Sequence, residues 1–151
     1  MAWSTGRAGS ILMILLDTNV LSAMMRVAAE PIVERWLDAQ PAESVWTTTI
    51  TIFEIHFGIA LLTPSRRRDR LSDAFDRAIH EVLDNRVLPF DASAAESAAA
   101  IAARQRQIGR SVEIRDVQIA GIASARKATL ATRNTRHFAE LGIILVDPWH
   151  G

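Results

Sequence analysis

Apolar residues run along this chain in two alternating rhythms. Ile11-Leu-Met-Ile-Leu-Leu16 is continuously apolar, as befits a strand buried on both faces of a parallel sheet. Ser44-Val-Trp-Thr-Thr48 is rich in β-formers and predicts a second strand. Arg86-Val-Leu88, Thr129-Leu-Ala-Thr132 and Ile143-Ile-Leu-Val146 predict three more. Between them the period lengthens. Thr18 or Asn19 can cap a short helix from Val20 towards Arg26, and Pro31 opens another through Asp38. Further helices are predicted over Thr49–Leu62, Arg66–Asp84, Ala92–Ile108 with Gly109 at its C-cap, and Ile114–Arg126, with a short helical turn between the last two strands. Leu71, Phe75, Ala78, Ile79, Val82 and Leu83 give the Arg66–Asp84 segment an amphipathic spacing. Asp91 reads as the N-cap of the alanine-rich helix. Strands alternating with helices predict an α/β fold with a mainly parallel sheet. Sites in such sheets form at the carboxyl ends of the strands, here Asp17, Thr47-Thr48 and Thr132-Arg-Asn134.

Composition narrows the class. A chain of 151 residues, 49% hydrophobic, suits one domain with a sizeable core. Met1 to Ser10 is rich in Ser, Gly and Ala and lacks periodicity, so residues 1–12 read as a loose extension before a domain over 13–149, with Met13 an alternative start. Zero cysteines exclude disulfides, thiolate metal sites and cysteine nucleophiles. The apolar run to Leu16 is too short to span a bilayer, which leads us to expect a soluble, cytoplasmic protein without membrane partners. Seventeen basic residues balance 17 acidic ones. That counts mildly against a protein held on DNA mainly through phosphates and does not exclude an enzyme that touches a few nucleotides, because an acidic metal cluster cancels a basic rim in the sum.

Three carboxylates fall where apolar side chains are expected. Asp17 ends the first strand, at the carboxyl edge of the sheet. At roughly 100° per residue, Ile50, Phe57, Gly58 and Leu61 lie within about 60° of Glu54 around its helix, which puts Glu54 in the middle of the expected inward face. Asp116 shares its side with Val112, Ile119, Ala120 and Ala123. Each has a bland reading: a turn aspartate, a buried ion pair, a helix N-terminal aspartate. Together they describe a hard, oxygen-rich site that prefers Mg²⁺ or Mn²⁺ and leaves a face open to phosphate. His56, His80, His137 and His150 show no zinc-binding spacing.

The chain resembles PIN-domain nucleases, specifically the VapC-like and FitB-like toxins of bacterial toxin–antitoxin pairs. The resemblance rests on Ile14-Leu-Leu-Asp-Thr-Asn-Val-Leu-Ser22, Thr51-Ile-Phe-Glu-Ile55, Arg115-Asp-Val-Gln-Ile-Ala120, Thr129 to Phe138 and Val146-Asp-Pro-Trp149, in the family's order over nearly the whole chain. It implies a PIN-like three-layer α/β/α sandwich whose first three acidic positions are Asp17, Glu54 and Asp116, the metal ligands of a ribonuclease. The fourth, often aspartate, falls at Asn134 or His137. An amide brings no charge, so a second metal ion is weakened more than the activity; Asn134 can equally be a helix cap.

The implied activity is hydrolysis of RNA phosphodiesters by metal-activated water. The resemblance also implies a homodimer and a cognate antitoxin that occludes the site and carries the pair to promoter DNA. Thr18 and Thr132 are placed to position water or phosphate. Arg133 and Arg136 are better phosphate-contact candidates than the Arg66-Arg-Arg68 run. The alternative is a non-catalytic PIN module that acts through partner binding. Phosphoacceptor folds fit poorly: position 19 is Asn where a second aspartate is needed, and Lys127 precedes its strand.

Overall fold

The computed structural model describes residues 12–26 and 30–150. Five strands form one wholly parallel sheet: β1 (Ile14–Leu16), β2 (Val45–Thr48), β3 (Val87–Leu88), β4 (Thr129–Ala131) and β5 (Ile144–Val146), in the order β3-β2-β1-β4-β5. Seven α-helices cover it: α1 (Thr18–Met24), α2 (Pro31–Asp38), α3 (Thr49–Ala60), α4 (Arg66–Arg77), α5 (Ala92–Gln107), α6 (Ile114–Arg126) and α7 (Thr135–Phe138). The predicted α/β class and all five strands are present. Strand β1 is three residues long rather than six: Leu12 and Met13 precede it, and Ile11, like most of the expected extension, lies outside the described residues.

Side-chain alternation divides the core. Ile14 and Leu16 of β1 pack with Val20, Leu21, Ile55 and Phe75 on one face. Leu15 and Leu130 pack with Ile101, Ile119 and Phe138 on the other. The sheet is therefore covered on both sides, as a parallel sheet must be. Because β1 has β2 on one side and β4 on the other, the strand order reverses direction between β1 and β4. Such a switch point leaves a crevice at the carboxyl ends of the two strands.

Local chemistry sets most boundaries. Pro31 opens α2, and Asp91 caps α5 by accepting the Ala94 N–H at 2.9 Å, both as the sequence predicts. Gly109, just beyond the end of α5, adopts φ +78°. The cap of α1 differs from expectation. It is Asp17 that accepts the Thr18 N–H at 2.8 Å, so the helix begins at Thr18 rather than Val20. The long amphipathic helix also differs: α4 stops at Arg77 and continues as a π-turn, Ala78–Val82, in which the Leu83 N–H reaches the Ala78 carbonyl at 2.9 Å. The widened turn shifts the spacing by one residue, so Leu83 is fully buried while Val82 faces solvent. No helix among the described residues is long and apolar enough to cross a membrane.

The α5–α6 contact leaves no room for a methyl group at Gly121. A Cβ added at Gly121 would lie 2.6 Å from both the Ala94 carbonyl oxygen and the Ala98 Cβ. The alanine-rich face of α5 and the glycine of α6 thus permit a backbone approach that one methyl group blocks. Gly121→Ala should cost about 1–3 kcal/mol despite its higher helix propensity. Urea unfolding decides it, and an unchanged or higher midpoint would refute the packing argument.

Candidate active site

Asp17 stands at the end of the central strand, 6% exposed. Its position is fixed three times over. Its N–H bonds the Ala131 carbonyl at 3.0 Å, continuing the β1–β4 ladder. Its Oδ1 accepts the Thr18 N–H, and its Oδ2 accepts the Thr132 hydroxyl at 2.7 Å. Thr132 is itself fully buried, and its oxygen accepts the Asn134 N–H at 3.0 Å and the Asn19 side-chain amide at 3.4 Å. Asn19 returns a bond, accepting the Arg133 N–H at 3.0 Å. A single hydroxyl therefore ties the start of α1 to the loop after β4. Burial pushes the Asp17 carboxyl above its usual range, against the pull of the Thr132 and Thr18 hydrogen bonds and the nearby His137.

Glu54 comes to the same region from α3, though not as the periodicity predicted. The buried side of α3 is Thr51 and Ile55, with Ile52 and Ile59 packed against the core. Phe53, Phe57 and Leu61 are 60%, 52% and 70% exposed, and the two phenylalanine rings stack at 5.9 Å. Apolar residues occur on every side of this helix, so they could not mark its core face. Glu54 lies on the boundary between the two faces, its side chain 20% exposed. Both of its oxygens are engaged: Oε1 accepts the Thr18 hydroxyl at 2.9 Å, and Oε2 accepts Arg115 Nη1 at 2.9 Å.

Asp116 arrives from the first turn of α6, half-buried above Ile119 and Ala120, which are inside as predicted. His137 of α7 places Nδ1 3.5 Å from Asp116 Oδ2. Burial raises the Asp116 carboxyl, His137 opposes that, and the charges of Glu113, Asp17 and Glu54 raise it further. Asp17 and Glu54 are therefore both within electrostatic reach of Asp116. Among the described residues, however, no three acidic or histidine side chains converge closely enough to grip one ion in this arrangement. Asn134 is not drawn in by its side chain. It is exposed, occupies the N-cap position of α7 and makes no side-chain cap bond, so only its backbone N–H serves the cluster.

Sequence reasoning gave no role to Arg115, which bridges Glu54 and, through Nη2 at 2.7 Å, Glu113. Its signal was adjacency to Asp116 in the first turn of an amphipathic helix, where a basic residue runs against the helix dipole and needs a carboxylate partner. The hydrogen bond to Glu113, and then the charge of Glu54, hold the guanidinium firmly protonated. Beside Asp116 opens a groove of about 460 Å³, whose lining includes Arg110, Glu113, Arg136 and His137. Arg133 lies on the other side of the loop, stacked 4.6 Å above the Trp149 ring.

A wholly parallel sheet with acidic side chains at its switch point is an arrangement suited to phosphate chemistry. The chain belongs to the PIN-domain family, whose model matches residues 14–144. It is 39% identical over 137 residues to the plasmid stability protein StbB of Pseudomonas syringae pv. tomato, covering 91% of this chain and 99% of that one. It is 34% identical to a VapC ribonuclease of Sinorhizobium fredii, over 91% and 98% of the two chains. The crystal structure of FitAcB from Neisseria gonorrhoeae aligns with a TM-score of 0.82 at 34% identity, over 92% of this chain and all of that one.

The raised Asp116 carboxyl has a consequence for stability. Its folded-state value lies above the unfolded one, so its contribution is fully present below the unfolded value and declines as pH rises through the folded value. At neutral pH the ionised form is therefore a burden on the metal-free fold. Asp116→Asn should raise Tm in EDTA at pH 7 by a few degrees, with the gain vanishing near pH 4 or below. A lower Tm across that range, followed by calorimetric scans, would contradict the electrostatic reading.

Proposed function

We propose that this chain is the ribonuclease toxin of a toxin–antitoxin pair, cutting RNA with Asp17, Glu54 and Asp116 as ligands of a divalent cation. The observation that carries the site assignment is the placement of the three carboxylates: Asp17 held by Thr132 at the end of β1, Glu54 held by Thr18 at the start of α1, and Asp116 in the first turn of α6, with both of the others in charge range of it. The donor set is all oxygen, as Mg²⁺ or Mn²⁺ requires. When bound, such a cation stabilises charge on the phosphoryl oxygens and lowers the pKa of water at the site.

The chain's own residues do the rest. Thr132 holds Asp17 in one orientation, and Thr18 holds Glu54, so neither carboxylate has to be ordered on binding. Thr132, fully buried against Asp17, shields that side of the carboxylate from bulk water. Arg136, which lines the groove beside Asp116, gives the RNA phosphates a cationic partner, whereas Arg133 is stacked on Trp149. Asn134 supports the site through its backbone N–H on Thr132 rather than as a charged ligand. The partner is a cognate antitoxin, and DNA is reached through it. A homodimer follows from the family resemblance, and the exposed Phe53, Phe57 and Leu61 provide apolar surface for a protein neighbour. A non-catalytic module would keep the same partner contacts but leave RNA intact.

Two measurements test this. Antitoxin-free protein should cleave RNA with Mg²⁺ or Mn²⁺ and stop in EDTA. Asp17→Asn and Asp116→Asn should each reduce the rate by at least about 100-fold, or ~2.7 kcal/mol of barrier, while the protein stays folded. Parent-like rates in both would overturn the ligand assignment. In cells, expression should arrest growth and co-expression of the antitoxin should relieve it. A harmless protein that still cuts RNA in vitro would remove the toxin role and leave the nuclease.

A further inference from the structure

Arg115 stands out because it satisfies a carboxylate assigned to the metal. We infer that Arg115 is an internal counter-ion of the acidic centre, holding Glu54 when no metal is bound and releasing it as metal enters. The inference rests on the ligand assignment above and adds to it a resident competitor for the cation.

Glu54 has one oxygen on the Thr18 hydroxyl and the other on Arg115 Nη1, each at 2.9 Å. That engagement accompanies the lack of any three-ligand grouping among the described residues. The two ends of the ion pair are unequal. Glu54 is anchored at the edge of the core, whereas the Arg115 side chain is 42% exposed and can turn away without leaving a buried charge. A place to turn exists as well. Arg115 Nη2 already rests on Glu113 Oε1 at 2.7 Å, and the Glu113 side chain is 55% exposed, so the guanidinium keeps one partner after giving up the other.

The magnitudes suit exchange. A guanidinium stays charged at any working pH, so it compensates Glu54 whenever metal is absent. A half-exposed ion pair is nevertheless weak, and a doubly charged ion facing three carboxylates outbids it. The pair is strong enough to tax metal binding and too weak to prevent it. Fixed structural ion pairs behave otherwise: their loss shifts stability equally with and without metal.

The test is calorimetric titration of the antitoxin-free full chain with MnCl₂, without RNA. Arg115→Gln should bind Mn²⁺ roughly tenfold more tightly than the parent, each tenfold being about 1.4 kcal/mol. Arg110→Gln removes the same charge from the groove beside Asp116 without touching Glu54, and should change affinity less than about threefold. Arg115→Gln should also melt below the parent in EDTA and recover with Mn²⁺. Equal affinities for parent and Arg115→Gln, or equal gains in the two variants, would overturn the inference while sparing the ligand assignment. A parent that binds neither Mn²⁺ nor Mg²⁺ would overturn both. If Arg115→Gln fails to fold, the parent alone decides. The Arg115 Nη1 protons, bonded to Glu54 in the metal-free protein, should exchange faster with solvent on saturation with Mg²⁺, and an unchanged exchange rate there would sink the proposal.

Discussion

Keeping a carboxylate 6% exposed at the end of a central strand requires every oxygen to have a donor or a cation within reach. The Thr132 hydroxyl supplies the decisive one to Asp17, across the β1–β4 edge. Around that bond the rest of the centre is arranged. Thr132 draws in the Asn134 and Asn19 nitrogens, which set the path of the loop after β4. Asp17 in turn caps α1, which fixes where Thr18 presents its hydroxyl to Glu54. A threonine and an aspartate thus set the geometry of two helix starts and one loop.

Charge is the second organising quantity. Asp17, Glu54, Glu113 and Asp116 meet Arg115 and His137 at one edge of the sheet, and the balance is uneven across it. Glu54 and Glu113 share the Arg115 guanidinium by direct hydrogen bonds, while Asp116 lies 3.5 Å from the His137 imidazole and Asp17 is held mainly by the neutral Thr132 and Thr18 donors. The less compensated side is the one next to the β1–β4 crevice, where a cation gains most.

Much of this was legible from the residues. Strand alternation and helix starts such as Pro31 and the Asp91 cap follow from local steric and hydrogen-bonding rules, and the structure has them in place. Asp17 and Asp116 were marked by polarity in apolar surroundings. Glu54 was singled out by a flawed argument: the face centred on it was read as inward, but the buried residues of α3 are Thr51 and Ile55. Periodicity fails on a helix that is apolar all round, where only tertiary context selects a side. The π-turn at Ala78–Val82 and the Arg115 bridge escaped for a related reason. The π-turn depends on what packs against it, and the position of Arg115 in the first turn of α6 does not say which carboxylate it meets.

The strand order has a consequence for synthesis. The bond that fixes Asp17 spans 115 residues, from the first strand of the sheet to the fourth. A parallel sheet ordered β3-β2-β1-β4-β5 cannot close its crevice until β4 has docked beside β1. A nascent chain leaving the ribosome therefore carries its first acidic residue for most of its translation without the hydroxyl that orients it. The centre matures only when the C-terminal segment emerges, and a truncated product would lack it.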